Sequence, residues 1–183
     1  MAVLTIRLWP DEVLRRKADP VETVDDEVCR VLNDMAETMY RQNGIGLAAP
    51  QVGISRRMIT LDVPSEGPEE DPPEHLSPAP PPGSGLLLVV NPRITEREGK
   101  LVVTEGCLSF PGLEIDIQRS ERITVEYLDE TGTPQTKVCD GLLAVCFQHE
   151  IDHLDGVVFT DRVGLVRRRL ALRDYEKMRR EEA

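Results

Sequence analysis

The chain has 183 residues, 40% hydrophobic and 30% charged, with 22 Lys and Arg against 33 Asp and Glu for a formal net charge of −11. That length suits one domain that buries a core without disulfide or metal staples, and the acidic balance argues against bulk binding to DNA. No run approaches the roughly 18 apolar residues of a membrane span, and Met1–Arg7 lacks the basic leader and long apolar stretch of a secretory signal, so a cytoplasmic protein with no membrane partner is expected. The four cysteines, at 29, 107, 139 and 146, include no Cys-x-x-Cys pair. In a reducing compartment they are thiols open to packing, metal binding or catalysis.

In chain order, Val24, Val28, Val31, Leu32, Met35 and Met39 repeat at helical spacing. Thr23 is the predicted N-cap, acids at 25 to 27 suit the helix dipole, and Gly44 lies beyond the end. Next comes Gly44-Ile45-Gly46-Leu47-Ala48-Ala49-Pro50-Gln51. Its Gly-x-Gly follows a helix and lacks both a third glycine and a lysine, which argues against nucleotide binding. The small residues permit close backbone approach, and the Gln51 amide can donate to a developing oxyanion. A helix-ending turn with a surface glutamine is the alternative. Strands are predicted at 57–63, 86–90, 100–104, 113–117 and 122–128, the last followed by an Asp-Glu-Thr-Gly-Thr-Pro turn.

Residues 64–85 break this pattern with five acids, no Lys or Arg, and 8 of the 14 prolines. They read as an extended or disordered loop insert in one domain, since such a composition buries too little apolar surface to offset ordering. Between Asp140 and Gly156 the sequence Leu142-Leu143-Ala144-Val145-Cys146-Phe147 leads into Gln148-His149-Glu150-Ile151-Asp152-His153-Leu154. This is a helix apolar on nearly every side in its first half, hence buried centrally. Residues 162–183 carry eight basic and four acidic residues, with Val163, Val166, Leu170 and Met178 at helical spacing and Asp161 as the predicted N-cap. The expected class is therefore α+β: antiparallel strands packed around a central buried helix, with an N-terminal helix and a basic, amphipathic C-terminal helix.

The central helix carries the sharpest chemical signal, the H-E-x-x-H of His149 to His153. At about 100° per residue, positions i and i+4 differ by only about 40°. Both imidazoles thus share a face that can grip one metal ion, with the Glu150 carboxylate beside them to move protons. A catalytic site needs a third protein ligand. No histidine follows His153, which leaves downstream acids such as Glu176, or a thiolate. Cys107, in Glu105-Gly106-Cys107-Leu108-Ser109, sits where a loop can turn its sulfur inward, and a small buried hydrophobe is its ordinary role.

Together these segments resemble the peptide deformylases. The family signatures Gly-x-Gly-x-Ala-Ala-x-Gln, Glu-Gly-Cys-Leu-Ser and Gln-His-Glu-x-Asp-His-Leu-x-Gly are matched by residues 44–51, 105–109 and 148–156, and the resemblance spans nearly the whole chain, 1–183. It implies a metal held by Cys107, His149 and His153, with Glu150 as acid/base in hydrolysis of the N-formyl group of new proteins, releasing formate. Gln51 and the Leu108 N–H resemble the family's oxyanion donors, and Ile45 and Gly46 the edge along which the substrate lies. Glu105 and Arg119 match a pair bracing the metal loop. Ile45, Val103, Leu142, Val145 and Cys146 resemble a methionine pocket, core packing being their other reading; the last two and Leu142 share the face of His149.

The resemblance further implies Fe2+, with Zn2+, Ni2+ or Co2+ able to replace it, N-formylmethionyl peptides as substrates, and a ribosome-docking role for the basic C-terminal helix. A solvated surface helix is the plainer reading of that charge. Two other functions fit parts of the pattern, an H-E-x-x-H metallopeptidase and a deformylase-like protein that binds formyl-peptides without turnover.

Overall fold

The computed structural model describes residues 2–64 and 85–181. Nearly all of the expected insert at 64–85 thus lies outside the described residues. The first long helix, α1, runs Asp26–Arg41. Its N-cap is Asp25 rather than the expected Thr23: the Asp25 carboxylate accepts from the Val28 N–H at 2.9 Å and satisfies one of the free amides of the first turn. Seven strands follow: β1 Gly46–Ala48, β2 Met58–Leu61, β3 Leu87–Glu98, β4 Leu101–Glu105, β5 Ile115–Arg119, β6 Arg122–Leu128 and β7 Pro134–Asp140. Helix α2, Gly141–Leu154, and helix α3, Leu165–Glu181, complete the chain.

β1, β2, β3, β6 and β7 form one antiparallel sheet in that order, while β4 and β5 pair separately. Because side chains alternate along a strand, the large sheet offers two apolar faces. Ile59, Leu61, Val89, Ile123 and Val125 pack against Ala144, Phe147, Ile151 and Leu154 of α2. Met58 and Val90, on the other face, pack against Val28, Leu32, Met35 and Met39 of α1. Each fully buried aliphatic side chain in these clusters contributes roughly 1.5–3 kcal/mol. The central helix is thus sandwiched as its composition predicts, with every residue from Ala144 to Leu154 buried. Gly156 ends it with φ +72°, where a Cβ would lie 2.5 Å from the Arg15 carbonyl oxygen.

A third cluster ties the small sheet to the chain termini. Phe110 stacks on Trp9 and meets Phe159 and Tyr175 at centroid separations of 5.2 and 5.3 Å. This contact corrects the expected face of α3. Val166 and Leu170 are exposed, Tyr175 is the buried residue, and Leu172 and Met178 pack beside it. Asp161 is likewise not the N-cap of α3. It closes the preceding 3-10 turn, Phe159–Arg162, by accepting from the Val158 N–H at 3.0 Å.

Candidate metal centre and active site

Three segments distant in sequence converge beside α2. The ligand atoms of Cys107, His149 and His153 lie within 4.8 Å of one another, the sole such group of three His, Cys, Asp or Glu among the described residues. The turn after β4 brings the Cys107 sulfur to 3.3 Å from His153 Nε2, and the two imidazoles project from one face with ring centroids 5.0 Å apart. A thiolate and two imidazole nitrogens converging in this way make a donor set for a borderline divalent ion with an open fourth position. Burial pushes the His153 pKa well below its ordinary value, reinforced by His149 and Arg119, so it is the neutral, ligating form that persists. Glu176, the other ligand type left open by the sequence, lies on the exposed side of α3 and pairs with Arg180 at 3.7 Å.

Behind the trio lies a buried ion network. Glu105 Oε2 pairs with His149 Nδ1 at 2.7 Å, and Arg119 grips both Glu105 oxygens, at 2.6 and 2.9 Å. Burial alone would raise the Glu105 pKa, but the hydrogen bonds of Arg119 and His149 hold it at about 2. It is therefore an anion that fixes the His149 ring through its second nitrogen. Sequence reasoning missed the rest of the network. Asp152, inside the motif, takes Arg119 Nη1 at 2.6 Å and Arg162 Nε at 2.8 Å. A carboxylate on the buried helix required a cation, but nothing in the sequence said which of the chain's arginines would reach it.

On the other side a cavity of about 480 Å³ opens over Cys107 and His149, lined also by Ile45, Gly46, Gln51, Val103, Leu108, Leu142, Val145, Cys146 and Glu150, among others. Every expected substrate-side residue is brought there, while Arg119 lies behind. Gln51 is held at both ends of its amide: its Oε1 accepts from the Ala48 N–H at 2.8 Å, and its Nε2 donates to Ser109 Oγ at 3.2 Å, 3.5 Å from the Cys107 sulfur. Ser109, fully buried, is a second supporting residue that the sequence did not single out.

Glu150 is 4% exposed, and its Oε2 has no hydrogen-bond partner among the described residues. Burial raises its pKa to about 7, well above an ordinary carboxylate, with the charge of His149 opposing the rise. The short strand β1 passes so close that a Cβ on Gly46 would lie 2.5 Å from Glu150 Oε1 and 2.7 Å from Cys146 Sγ. Cys146 donates to the Ile45 carbonyl at 3.4 Å, so its thiol pins β1 against α2 as well as lining the cavity.

Known proteins match this geometry. Residues 3–169 match the polypeptide deformylase family model. The peptide deformylase of Alkalilimnicola ehrlichii is 43% identical over 181 residues, 99% of this chain and 93% of that protein. The crystal structure of a peptide deformylase from Legionella pneumophila superposes with a TM-score of 0.83 at 39% identity, covering 99% of this chain and 98% of that one. A peptide deformylase from Synechococcus elongatus, solved in complex with actinonin, gives 0.79 at 40% identity over 94% of this chain and 86% of that one. With the match running through the Gly44–Gln51, Glu105–Ser109 and Gln148–Gly156 segments that build the cavity, the chain belongs to the polypeptide deformylase family.

Proposed function

We propose that this deformylase removes the N-formyl group from the formylmethionine of newly made proteins with one divalent metal ion held by Cys107, His149 and His153. The observation that carries this reading is the convergence of those three donors beside a buried carboxylate, Glu150, left without a hydrogen-bond partner. A bound ion supplies Lewis-acid activation of water and of the formyl carbonyl. Glu150 takes the proton from the attacking water and returns it to the leaving amine. Gln51 Nε2 and the Leu108 N–H donate to the oxygen as charge develops on it, the Nε2 hydrogen otherwise directed at the Cys107 sulfur turning to that oxygen while Ala48 and Ser109 hold the amide. Ile45 and Gly46 offer backbone to the peptide, and Val103, Leu142, Val145 and Cys146 form an apolar wall suited to an unbranched methionine side chain. Glu105 and Arg119 keep His149 oriented.

Fe2+ is the metal we assign: a Cys/His/His set suits ferrous iron as well as zinc, and Ni2+, Co2+ or Zn2+ would substitute. The chain works as one catalytic domain in the reducing cytoplasm, where a thiolate ligand survives, and no helix among the described residues is long and apolar enough to cross a membrane. The exposed arginines of α3, including Arg167 and Arg173, supply charge for docking to ribosomal RNA phosphates.

The test is formate release from formyl-Met-Ala-Ser by protein purified anaerobically with Fe(II) or Ni(II), alongside cleavage of unformylated casein. Formate without casein cleavage is expected, and a metal-loaded protein that releases none overturns the reading. Glu150→Ala should retain metal and lose about 10²–10⁴-fold in turnover, whereas Cys107→Ala should lose the metal itself.

A further inference from the structure

A second cavity, of about 450 Å³, lies on the far side of Arg119 from the metal trio. It forms where the two sheets meet, between the β3–β4 turn at Gly99 and Lys100, the β5–β6 turn at Ser120, and the face of α2 that carries Gln148 and Asp152. Gln148 and Asp152 are one helical turn apart and each precedes a histidine of the trio by one residue, so the helix presents one face to each cavity.

The lining is strongly cationic, with Arg97, Lys100, Arg119 and Arg162 against the single carboxylate of Asp152. Arg119 is matched by Glu105 behind the wall, and Asp152 is occupied by Arg119 and Arg162. Arg97 and Lys100 are left over. Arg97 reaches only a neutral acceptor, Gln148 Oε1 at 3.1 Å, and that oxygen already accepts the Ser120 N–H at 2.9 Å. Neither Arg97 nor Lys100 pairs with a carboxylate among the described residues. Glu121, whose carboxylate lies against Gly99, is no exception. Burial lowers the Arg97 pKa; Asp152 opposes this, and Arg162 and Arg119 push it further down, as expected of a guanidinium facing other cations. The floor is fixed: Gln148 is 3% exposed, and its amide donates to the Ser120 and Ala144 carbonyls.

We propose that this cavity is a binding site for a phosphate-bearing dianion, with Arg97 and Lys100 as its principal ligands and Arg162 at its edge. The forked guanidinium of Arg97 and the ammonium of Lys100 together match the oxygens of a tetrahedral phosphate. Once Glu105 and Asp152 are set against Arg119 and Arg162, the lining keeps two positive charges, with the Glu121 carboxylate at the Gly99 rim; that pair of cations suits a phosphate monoester, about −1.5 to −2 near neutrality, better than a monocarboxylate such as formate. The site stands apart from the catalytic reading and does not depend on it.

The experiment is calorimetric titration of the metal-loaded enzyme with inorganic phosphate at constant ionic strength. It is repeated with a peptide hydroxamate saturating the catalytic metal, and repeated on Arg97→Ala/Lys100→Ala. A saturable one-to-one isotherm that persists with the hydroxamate and weakens at least tenfold in the double variant is expected, with formate release by that variant unchanged in the absence of phosphate. Titration with a 5′-phosphorylated nucleoside and with a short RNA lacking terminal phosphate distinguishes a small monoester from a phosphodiester backbone, and tighter binding of the monoester is expected. No saturable binding, binding abolished by the hydroxamate, binding unaltered in the double variant, or preference for the RNA overturns the proposal.

Discussion

At the scale of single residues, the tightest constraint on chemistry is the closeness of Gly46 to Glu150. The Glu150 carboxylate has no hydrogen bond to hold Oε2 among the described residues, so its position is set by packing, and the α-carbon of Gly46 is part of that packing. A methyl group placed there would begin 2.5 Å from Oε1 and 2.7 Å from the Cys146 sulfur, both inside van der Waals contact. Either the glutamate or strand β1 has to shift to make room, and a displacement of about 1 Å at a reacting group costs on the order of 10²-fold. Gly46→Ala should therefore lower kcat/KM by about 10–100-fold while metal content and the circular dichroism spectrum stay at wild-type levels. Wild-type turnover in that variant would show that Glu150 tolerates the shift. Residues of this kind were only half legible in sequence: the glycines signalled close approach, but not to what. His149 and His153 could be placed on one face from spacing alone, because four residues along a helix is a geometric statement. Ser109 and Arg162 could not, since their partners Gln51 and Asp152 depend on how distant segments fold together.

Among the elements, legibility followed burial on one side. α1 and α2 were readable because their apolar residues meet a sheet. β1 and β7 were missed: β1 is three residues of small side chains, and β7 is a polar edge strand in which only Cys139 is buried. β3 runs on through Pro92 to Glu98, and its register with β6 shifts between Val90 and Arg93 around that proline. The face of α3 was misread because Val166 and Leu170 are stronger apolar signals than Tyr175, yet the aromatic cluster around Phe110 decides which side docks. Asp161 holds the start of this helix to the N-terminal segment, taking Arg15 Nη2 at 3.1 Å and Arg168 Nη2 at 3.0 Å. Burial would raise its pKa, but the Arg15 hydrogen bond, the Val158 N–H and both arginine charges hold it below the ordinary carboxylate value. A lowered folded-state value means stability that is present above about pH 4 and is lost as the pH falls through the folded value. Because the pairs are partly exposed, Asp161→Asn should cost about 1 kcal/mol at pH 7, a Tm drop of about 2–4 °C. The drop should shrink as melts are taken to progressively lower pH, and one that stayed constant with pH would show that charge is not the cause.

For the molecule as a whole, the site depends on two sheets and α2 being held together, and the contacts among the described residues already join the strands on either side of the acidic, proline-rich segment. Leu61 at the end of β2 pairs directly with Leu87 at the start of β3, so the two strand ends are already adjacent across the insert. Asp62 closes the junction, accepting from the Tyr40 hydroxyl at 2.7 Å and from the Gly85 N–H at 3.1 Å. A hairpin joined at that register needs only a short connection. Among the described residues, the lining of the cavity comes from 42–51, 103–112 and 142–150. Replacing residues 65–84 with a four-residue Gly-Ser turn should therefore leave kcat/KM for a formyl-Met peptide within about twofold of wild type. It should also raise the unfolding free energy by roughly 1 kcal/mol, because the entropy of closing a loop grows only slowly with its length. Removing the segment takes five acids and no Lys or Arg from the chain, so electrostatic steering of a basic peptide substrate would weaken with it, and a salt-dependent fall in kcat/KM would reveal that contribution. A shortened protein that folds but turns over more than tenfold slower at every ionic strength would show instead that the insert completes the substrate site.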